Sequence, residues 1–127
     1  MIFGVGTDLV EIPRIERVLA RYGERFARRI LCEPELARFR RHRQPVAYLA
    51  KRFAAKEAFG KALGTGIHAP AGWHGLWVVN LGSGRPVMEF SSPLKSYLEK
   101  KSIRRSHLSL SDERGIAAAT VILECDG

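Results

Sequence analysis

The chain is 127 residues long, 46% hydrophobic and 27% charged, which suits one domain over residues 1–127 and excludes a disordered chain. Its 21 Lys and Arg against 13 Asp and Glu leave a formal net charge of +8, a surplus that favours an anionic partner: nucleic acid, an acidic protein or a phosphate-rich ligand. No window approaches the ~20 apolar residues of a membrane span, and no basic run followed by an apolar stretch opens the chain. Cys32 and Cys125 are far apart without metal-ligand spacing. The expectation is a cytoplasmic protein with two buried, reduced thiols.

The opening Ile2-Phe3-Gly4-Val5-Gly6-Thr7-Asp8-Leu9-Val10 reads as a strand whose even positions put Gly4, Gly6 and Asp8 on one face. Two glycines beside an acid suggest a close approach to the backbone there. Pro13 suits the first turn of a helix carrying Ile15, Val18, Leu19 and Tyr22 at helical spacing, with Gly23 at its end. Residues 25–31 and 34–42 read as two short helices, and Pro45 to Leu63 as the longest, with Gly64 just past its end. A glycine-rich loop follows. Residues 73–81 and 87–91 read as strands, and Pro93 opens a helix to about Lys101. Finally 106–111 and 116–124 pair across Asp112-Glu113-Arg114-Gly115. The order strand, helices, two strands, helix, two strands predicts an α+β fold, a mostly antiparallel sheet packed on a long helix.

Glu57 is the most informative residue. At ~100° per residue it falls amid Val46, Leu49, Ala50, Phe53 and Gly60 on one side of the long helix. A carboxylate on an apolar face needs a cation or firm hydrogen bonds. The plainer readings are an i,i+4 ion pair with Lys61, or a face that borders solvent at that point. If the first strand packs on this helix, Asp8 and Glu57 converge, and two carboxylates without His or Cys suit Mg²⁺. Arg52, Lys56 and Lys61 share the helix and can meet phosphates; for Lys56 a solvated basic face is the plainer reading. Gly64-Thr65-Gly66 offers a turn whose N–H groups suit an anion, although a helix cap explains Gly64 equally well. Alternation along His107-Leu108-Ser109-Leu110-Ser111 puts His107, Ser109 and Ser111 on one face, toward solvent or a cleft. On the first helix Arg14, Arg17 and Arg21 lie within ~60° of one another, a ridge beside the apolar stripe. It is either solvated and paired locally to Glu16 or Glu24, or a dock for an acidic partner.

Gly4-Val5-Gly6-Thr7-Asp8-Leu9-Val10-Glu11-Ile12 with Arg14, Arg52-Phe53-Ala54-Ala55-Lys56-Glu57-Ala58, Lys61-Ala62-Leu63-Gly64-Thr65-Gly66-Ile67, Gly84-Arg85-Pro86 and His107-Leu108-Ser109-Leu110-Ser111-Asp112 together resemble the bacterial holo-[acyl-carrier-protein] synthase family. The resemblance is collinear over nearly the whole chain, and Phe53 stands where many relatives carry tryptophan. It implies transfer of 4′-phosphopantetheine from coenzyme A to a serine of an acidic acyl carrier protein. It implies Mg²⁺, or Mn²⁺, on Asp8 and Glu57, with Arg52, Lys61, His107 and the Gly64-Thr65-Gly66 and Arg85-Pro86 segments toward coenzyme A. Asp8, Glu57, Lys61 and His107 are then the candidate catalytic set, and Arg14, Arg17 and Arg21 the candidate carrier dock. It also implies a homotrimer with sites between subunits. A basic nucleic-acid-binding module and a metal-dependent phosphohydrolase are the rival readings. No RRM, KH or zinc-finger motif supports the first, so no nucleic-acid or membrane partner is expected.

Overall fold

The computed structural model describes residues 1–126. In chain order the elements are β1 (Ile2–Glu11), α1 (Ile12–Tyr22), α2 (Glu24–Ile30), α3 (Glu33–Arg41), α4 (Pro45–Leu63), β2 (Leu76–Asn80), β3 (Pro86–Phe90), α5 (Ser92–Lys100), β4 (Ile103–Glu113) and β5 (Ile116–Cys125). They form an antiparallel three-stranded sheet in the order β1-β5-β4 and a separate antiparallel pair, β2-β3. The expected α+β architecture is present, divided into two sheets rather than one.

One face of the larger sheet lies on α4. Gly4 and Gly6 make this approach possible: a Cβ at Gly4 would run into the Ala62 carbonyl, and one at Gly6 into the Ala58 carbonyl. The helix contributes its own small residues to the contact. Ala50, Ala54, Ala55, Ala58 and Ala62 are buried, as are Leu49, Phe59 and Leu63, so α4 is enclosed on most sides. Its end is capped by Gly64 at φ 90, a left-handed value that costs glycine little.

Lys56 corrects the expectation of a solvated basic face. It is fully buried, and its ammonium donates to Ile30 O at 2.7 Å, Trp73 O at 2.8 Å and Glu35 Oε1 at 2.8 Å. Glu35 is equally buried and accepts from the N–H of Cys32 at 2.9 Å and of Val78 at 2.8 Å. One ion pair thus ties together the end of α2, the start of α3, the loop before β2, β2 itself and α4.

Four sequence expectations change in detail. Residues 73–75 are in a turn, not a strand, because the Trp73 carbonyl faces Lys56 and Gly75 N–H bonds Gly72 O at 3.0 Å; β2 therefore starts at Leu76. Strand β4 runs from Ile103 through Asp112 and Glu113, leaving only Arg114 (φ 51) and Gly115 (φ 80) to turn the hairpin, as a two-residue connection requires. The stripe on α1 is buried only at Ile15; Val18 and Leu19 are half-buried and Tyr22 is exposed. Cys32 and Cys125 are free thiols but half-buried. Partial burial raises the Cys32 thiol pKa, and Cys32 Sγ donates to Leu76 O at 3.4 Å. No helix among the described residues is long and apolar enough to cross a membrane.

The buried pair generates a stability prediction. Glu35→Ala strands the Lys56 ammonium and two backbone N–H groups, and the expected loss is ~3–5 kcal/mol in urea unfolding. A loss below ~1 kcal/mol, within the range of ordinary exposed ion pairs, refutes this account of the core.

Candidate functional site

Strand β1 and helix α4 advance in step. Gly4 meets Ala62 and Gly6 meets Ala58, so two strand residues match four helix residues, about 6–7 Å on each side. Asp8, two residues further on the same strand face, falls near the next helix turn back, about level with Ala54, with Glu57 between that level and Ala58. The Asp8 carboxylate is felt there: the Glu57 carboxyl is raised above its ordinary value of 4.5, first by burial and then by Asp8, with Lys61 and Arg14 pulling the other way. Glu57 is half-buried, like Val46 and Phe53, whereas Leu49, Ala50 and Gly60 are fully buried. The face that looked apolar in sequence is therefore the border between core and solvent.

Lys61 does not form the expected i,i+4 pair with Glu57. Its ammonium instead donates to Thr7 O at 3.0 Å and Asp8 Oδ1 at 3.2 Å. Asp8, Glu57 and Lys61 make one cluster where β1 lies on α4. No group of three or more His, Cys, Asp or Glu side chains arranged to hold a metal occurs among the described residues. A cation on the two carboxylates would draw its other ligands from water or phosphate oxygens, which is what Mg²⁺ favours.

Arg52 lies elsewhere on the helix, about 140° round and ~7.5 Å back from Glu57. It is 4% exposed, its Nη2 donates to Asn80 Oδ1 at 2.8 Å, and its guanidinium sits over the Tyr48 ring at 4.2 Å. Asn80 Nδ2 in turn donates to Gly84 O at 2.9 Å, which ties Arg52 to the β2–β3 turn that carries exposed Arg85 and half-buried Pro86. Arg52, Arg38, His42, Lys51 and Tyr48 line a cavity of about 320 Å³ against that turn. Two buried polar atoms facing this region, Arg52 Nε and Tyr48 Oη, have no hydrogen-bond partner among the described residues. His42 is shifted below its ordinary 6.5, first by loss of solvent and then by the charges of Lys51, Arg38 and Arg52. The donors and basic side chains that line the cavity suit an anion. Tyr48 could have been found from its i,i+4 spacing to Arg52; Asn80 gives no local signal, because only the hairpin brings it there.

The Gly64-Thr65-Gly66 turn behaves as a helix cap. Gly64 N–H and Gly66 N–H both bond Gly60 O, at 2.9 and 3.0 Å, so neither is free to hold an anion. His107 is exposed on β4 and hydrogen-bonds the Glu124 carboxylate, which Arg105 also approaches. Register places it: Val5, Ile122 and His107 share a row, as do Thr7, Thr120 and Ser109, and Leu9, Ala118 and Ser111. These rows face away from α4, whereas Asp8 shares its row with Ala119 and Leu110 and faces α4. The structure thus brings Asp8, Glu57 and Lys61 together but leaves His107 on the opposite side of the sheet.

Arg14, Arg17 and Arg21 are all exposed on α1. The alternative of local pairing does not hold: Glu24 is taken by Arg40 and Arg28, and Glu16 forms no ion pair among the described residues. Beside the ridge, Val18, Tyr22, Arg25, Phe26 and Arg29 line a cavity of about 430 Å³ between α1 and α2, a partly apolar and basic groove with no counterpart in the sequence reading.

Residues 4–121 match the family profile described as the 4′-phosphopantetheinyl transferase superfamily. The chain is 49% identical over 124 residues to the holo-[acyl-carrier-protein] synthase of Nitrosospira multiformis, covering 98% of this chain and 99% of that protein. Its structure resembles the crystal structure of holo-[acyl-carrier-protein] synthase from Neisseria meningitidis with a TM-score of 0.95 at 44% identity, over 98% of this chain and 99% of that one. The Bacillus anthracis synthase, solved in complex with CoA (3',5'-ADP), aligns with a TM-score of 0.82 at 34% identity, over 99% of both chains.

Proposed function

The chain belongs to the holo-[acyl-carrier-protein] synthase family within the 4′-phosphopantetheinyl transferase superfamily, and from that premise we propose how its own residues carry the reaction. It transfers 4′-phosphopantetheine from coenzyme A to a serine of apo-acyl carrier protein and releases adenosine 3′,5′-bisphosphate. The serine oxygen forms a bond to the phosphorus next to pantetheine, and the bond from that phosphorus to the bridging pyrophosphate oxygen breaks. The family match favours neither the nucleic-acid module nor the phosphohydrolase. Residues 1–127 are read as one transferase domain, and two free thiols accord with a cytoplasmic location.

The convergence of Asp8, Glu57 and Lys61 carries the assignment of the reacting centre. Asp8 and Glu57 would hold Mg²⁺, or Mn²⁺ in its place; two mutually repelling carboxylates with no third protein ligand fit such an ion. When bound, that ion neutralises charge developing on the pyrophosphate. Lys61 supplies a second cation to the same charge, from a side chain exposed enough to reach it. The Arg52 cavity would take the nucleotide end of coenzyme A: its unsatisfied donors and the Arg38, Lys51 and Arg52 side chains suit a phosphate, and Asn80, Leu81, Gly82 and Gly84, which lead into Arg85-Pro86, form its wall.

The outward sheet face supports an assembly. Val5 is 55% and Leu9 72% exposed there, large apolar side chains beside Ile122 and Ala118 on a face that also carries Thr7, Thr120, Ser109, Ser111 and His107. A homotrimer built on this face would bring His107 of one chain toward the Asp8–Glu57 cluster of another, which no single chain can do. The arginine ridge and the groove beside it would receive the carrier: the arginines meet its carboxylates, and Phe26, Val18 and Tyr22 offer apolar contact.

Three outcomes test these assignments. Asp8→Ala and Glu57→Ala each abolish transfer of phosphopantetheine to apo-carrier, read by intact mass, while the chains stay folded; excess EDTA does the same to the unaltered enzyme. Full activity in any of the three removes the two-carboxylate centre. Asp8→Ala and His107→Ala chains, each inactive alone, regain activity when mixed and reassembled, with roughly a quarter of sites whole by random association; an active monomer in light scattering excludes the shared site. Arg21→Glu, chosen because Arg14 also acts on Glu57, raises the KM for carrier at least ~10-fold and leaves that for coenzyme A unchanged. Raising salt from about 0.05 to 0.5 M reproduces the effect. An equal rise in both KM values shows that the ridge is not the dock.

A further inference from the structure

Lys61 makes a contact that transfer itself does not require. Its ammonium bridges Thr7 O and Asp8 Oδ1, the only ion pair of Asp8 among the described residues. The two partners differ in freedom. The Asp8 side chain is 17% exposed and fixed by a strand packed on α4, whereas the Lys61 side chain is 55% exposed. An ammonium offers three donors on a flexible four-carbon stem, and an ion pair this open to solvent is weak enough to be exchanged.

We infer that Lys61 is an internal counter-ion for Asp8, one that a divalent cation must displace and that coenzyme A draws away, so that cation and coenzyme A bind cooperatively. The inference rests on the two-carboxylate reading above. Without coenzyme A, the Lys61 charge already neutralises Asp8 and repels a second cation from it. A pyrophosphate is the stronger acceptor for an ammonium, because it carries more charge and more free oxygens. Once Lys61 turns to phosphate, Asp8 loses its ion pair and faces Glu57 as a like charge, which a divalent cation relieves. The coupling is reciprocal, as any coupling between two bound ligands must be: a cation on Asp8 frees Lys61 for phosphate. Lys61 therefore acts as a positioning residue as well as a charge donor, and it keeps the free enzyme from holding a divalent cation without substrate.

Mn²⁺ binding by electron paramagnetic resonance, without carrier and hence without turnover, tests this. Lys61→Met in the free enzyme binds Mn²⁺ at least ~5-fold more tightly than the unaltered protein. Coenzyme A tightens Mn²⁺ binding in the unaltered protein and much less in Lys61→Met. Arg14→Met removes a positive charge that acts on Glu57 without pairing with Asp8, and it sets the general electrostatic effect at less than ~2-fold. In an Asp8→Asn background, Lys61→Met brings no further gain. Lys61→Met that binds Mn²⁺ no more tightly, or a gain matched by Arg14→Met, overturns the inference. Glu57→Gln with unchanged Mn²⁺ affinity overturns the two-carboxylate reading and the inference with it. Loss of Mn²⁺ in Glu57→Gln without gain in Lys61→Met overturns the inference alone.

Discussion

Everything at the proposed reacting centre depends on the contact between β1 and α4, where the strand contributes backbone rather than side chains. Gly4 and Gly6 press against the carbonyls of Ala62 and Ala58, so the distance between strand and helix is set by main-chain atoms. That distance carries Asp8 to Glu57. A looser seat for β1 would separate the carboxylates and leave Lys61 without an acceptor on Asp8. The glycines, not the acids, are what bring two ordinary side chains together.

The opposite side of α4 is governed by charge. The Lys56–Glu35 pair is an expensive feature by itself, since both groups lose water. What it accomplishes is organisation: three helices, one strand and a loop converge on two side chains. The helix is thus held by steric fit on the sheet side and by an ion pair on the other. Asp8, Glu57 and Lys61 lie at the seam between β1 and α4, where the helix still borders solvent.

Much of this was legible in the sequence, and the reasons differ by residue. The long helix was marked at both ends by Pro45 and Gly64, which act locally, and its limits agree with the structure. The strand faces followed from alternation, which placed Asp8 with Gly4 and Gly6, and His107 with Ser109 and Ser111. Lys56 and Trp73 were misread for one reason: their partners are 21 and 17 residues away along the chain, beyond any local pattern. The same holds for Asn80, whose contact with Arg52 spans 28 residues. The Lys61–Glu57 pairing failed because a nearer acid came from β1, a competition that helical spacing cannot reveal. The grouping of His107 with residues on the far side of its own sheet came from the family resemblance alone; geometry within one chain does not produce it, and it rests on the proposed assembly.

The hydrogen bond from Val78 N–H to Glu35 has a consequence for how the molecule opens. A two-stranded hairpin such as β2-β3 is marginal alone and would be expected to fray on its own. Here one of its amides ends on a carboxylate that is itself locked to the α4 ammonium. Releasing that amide to solvent exchange means uncovering the ion pair, which unseats α3 and the end of α2 as well. The hairpin therefore joins the cooperative unit of the core, and its turn, with Arg85 and Pro86, inherits a rigidity that its length could not provide.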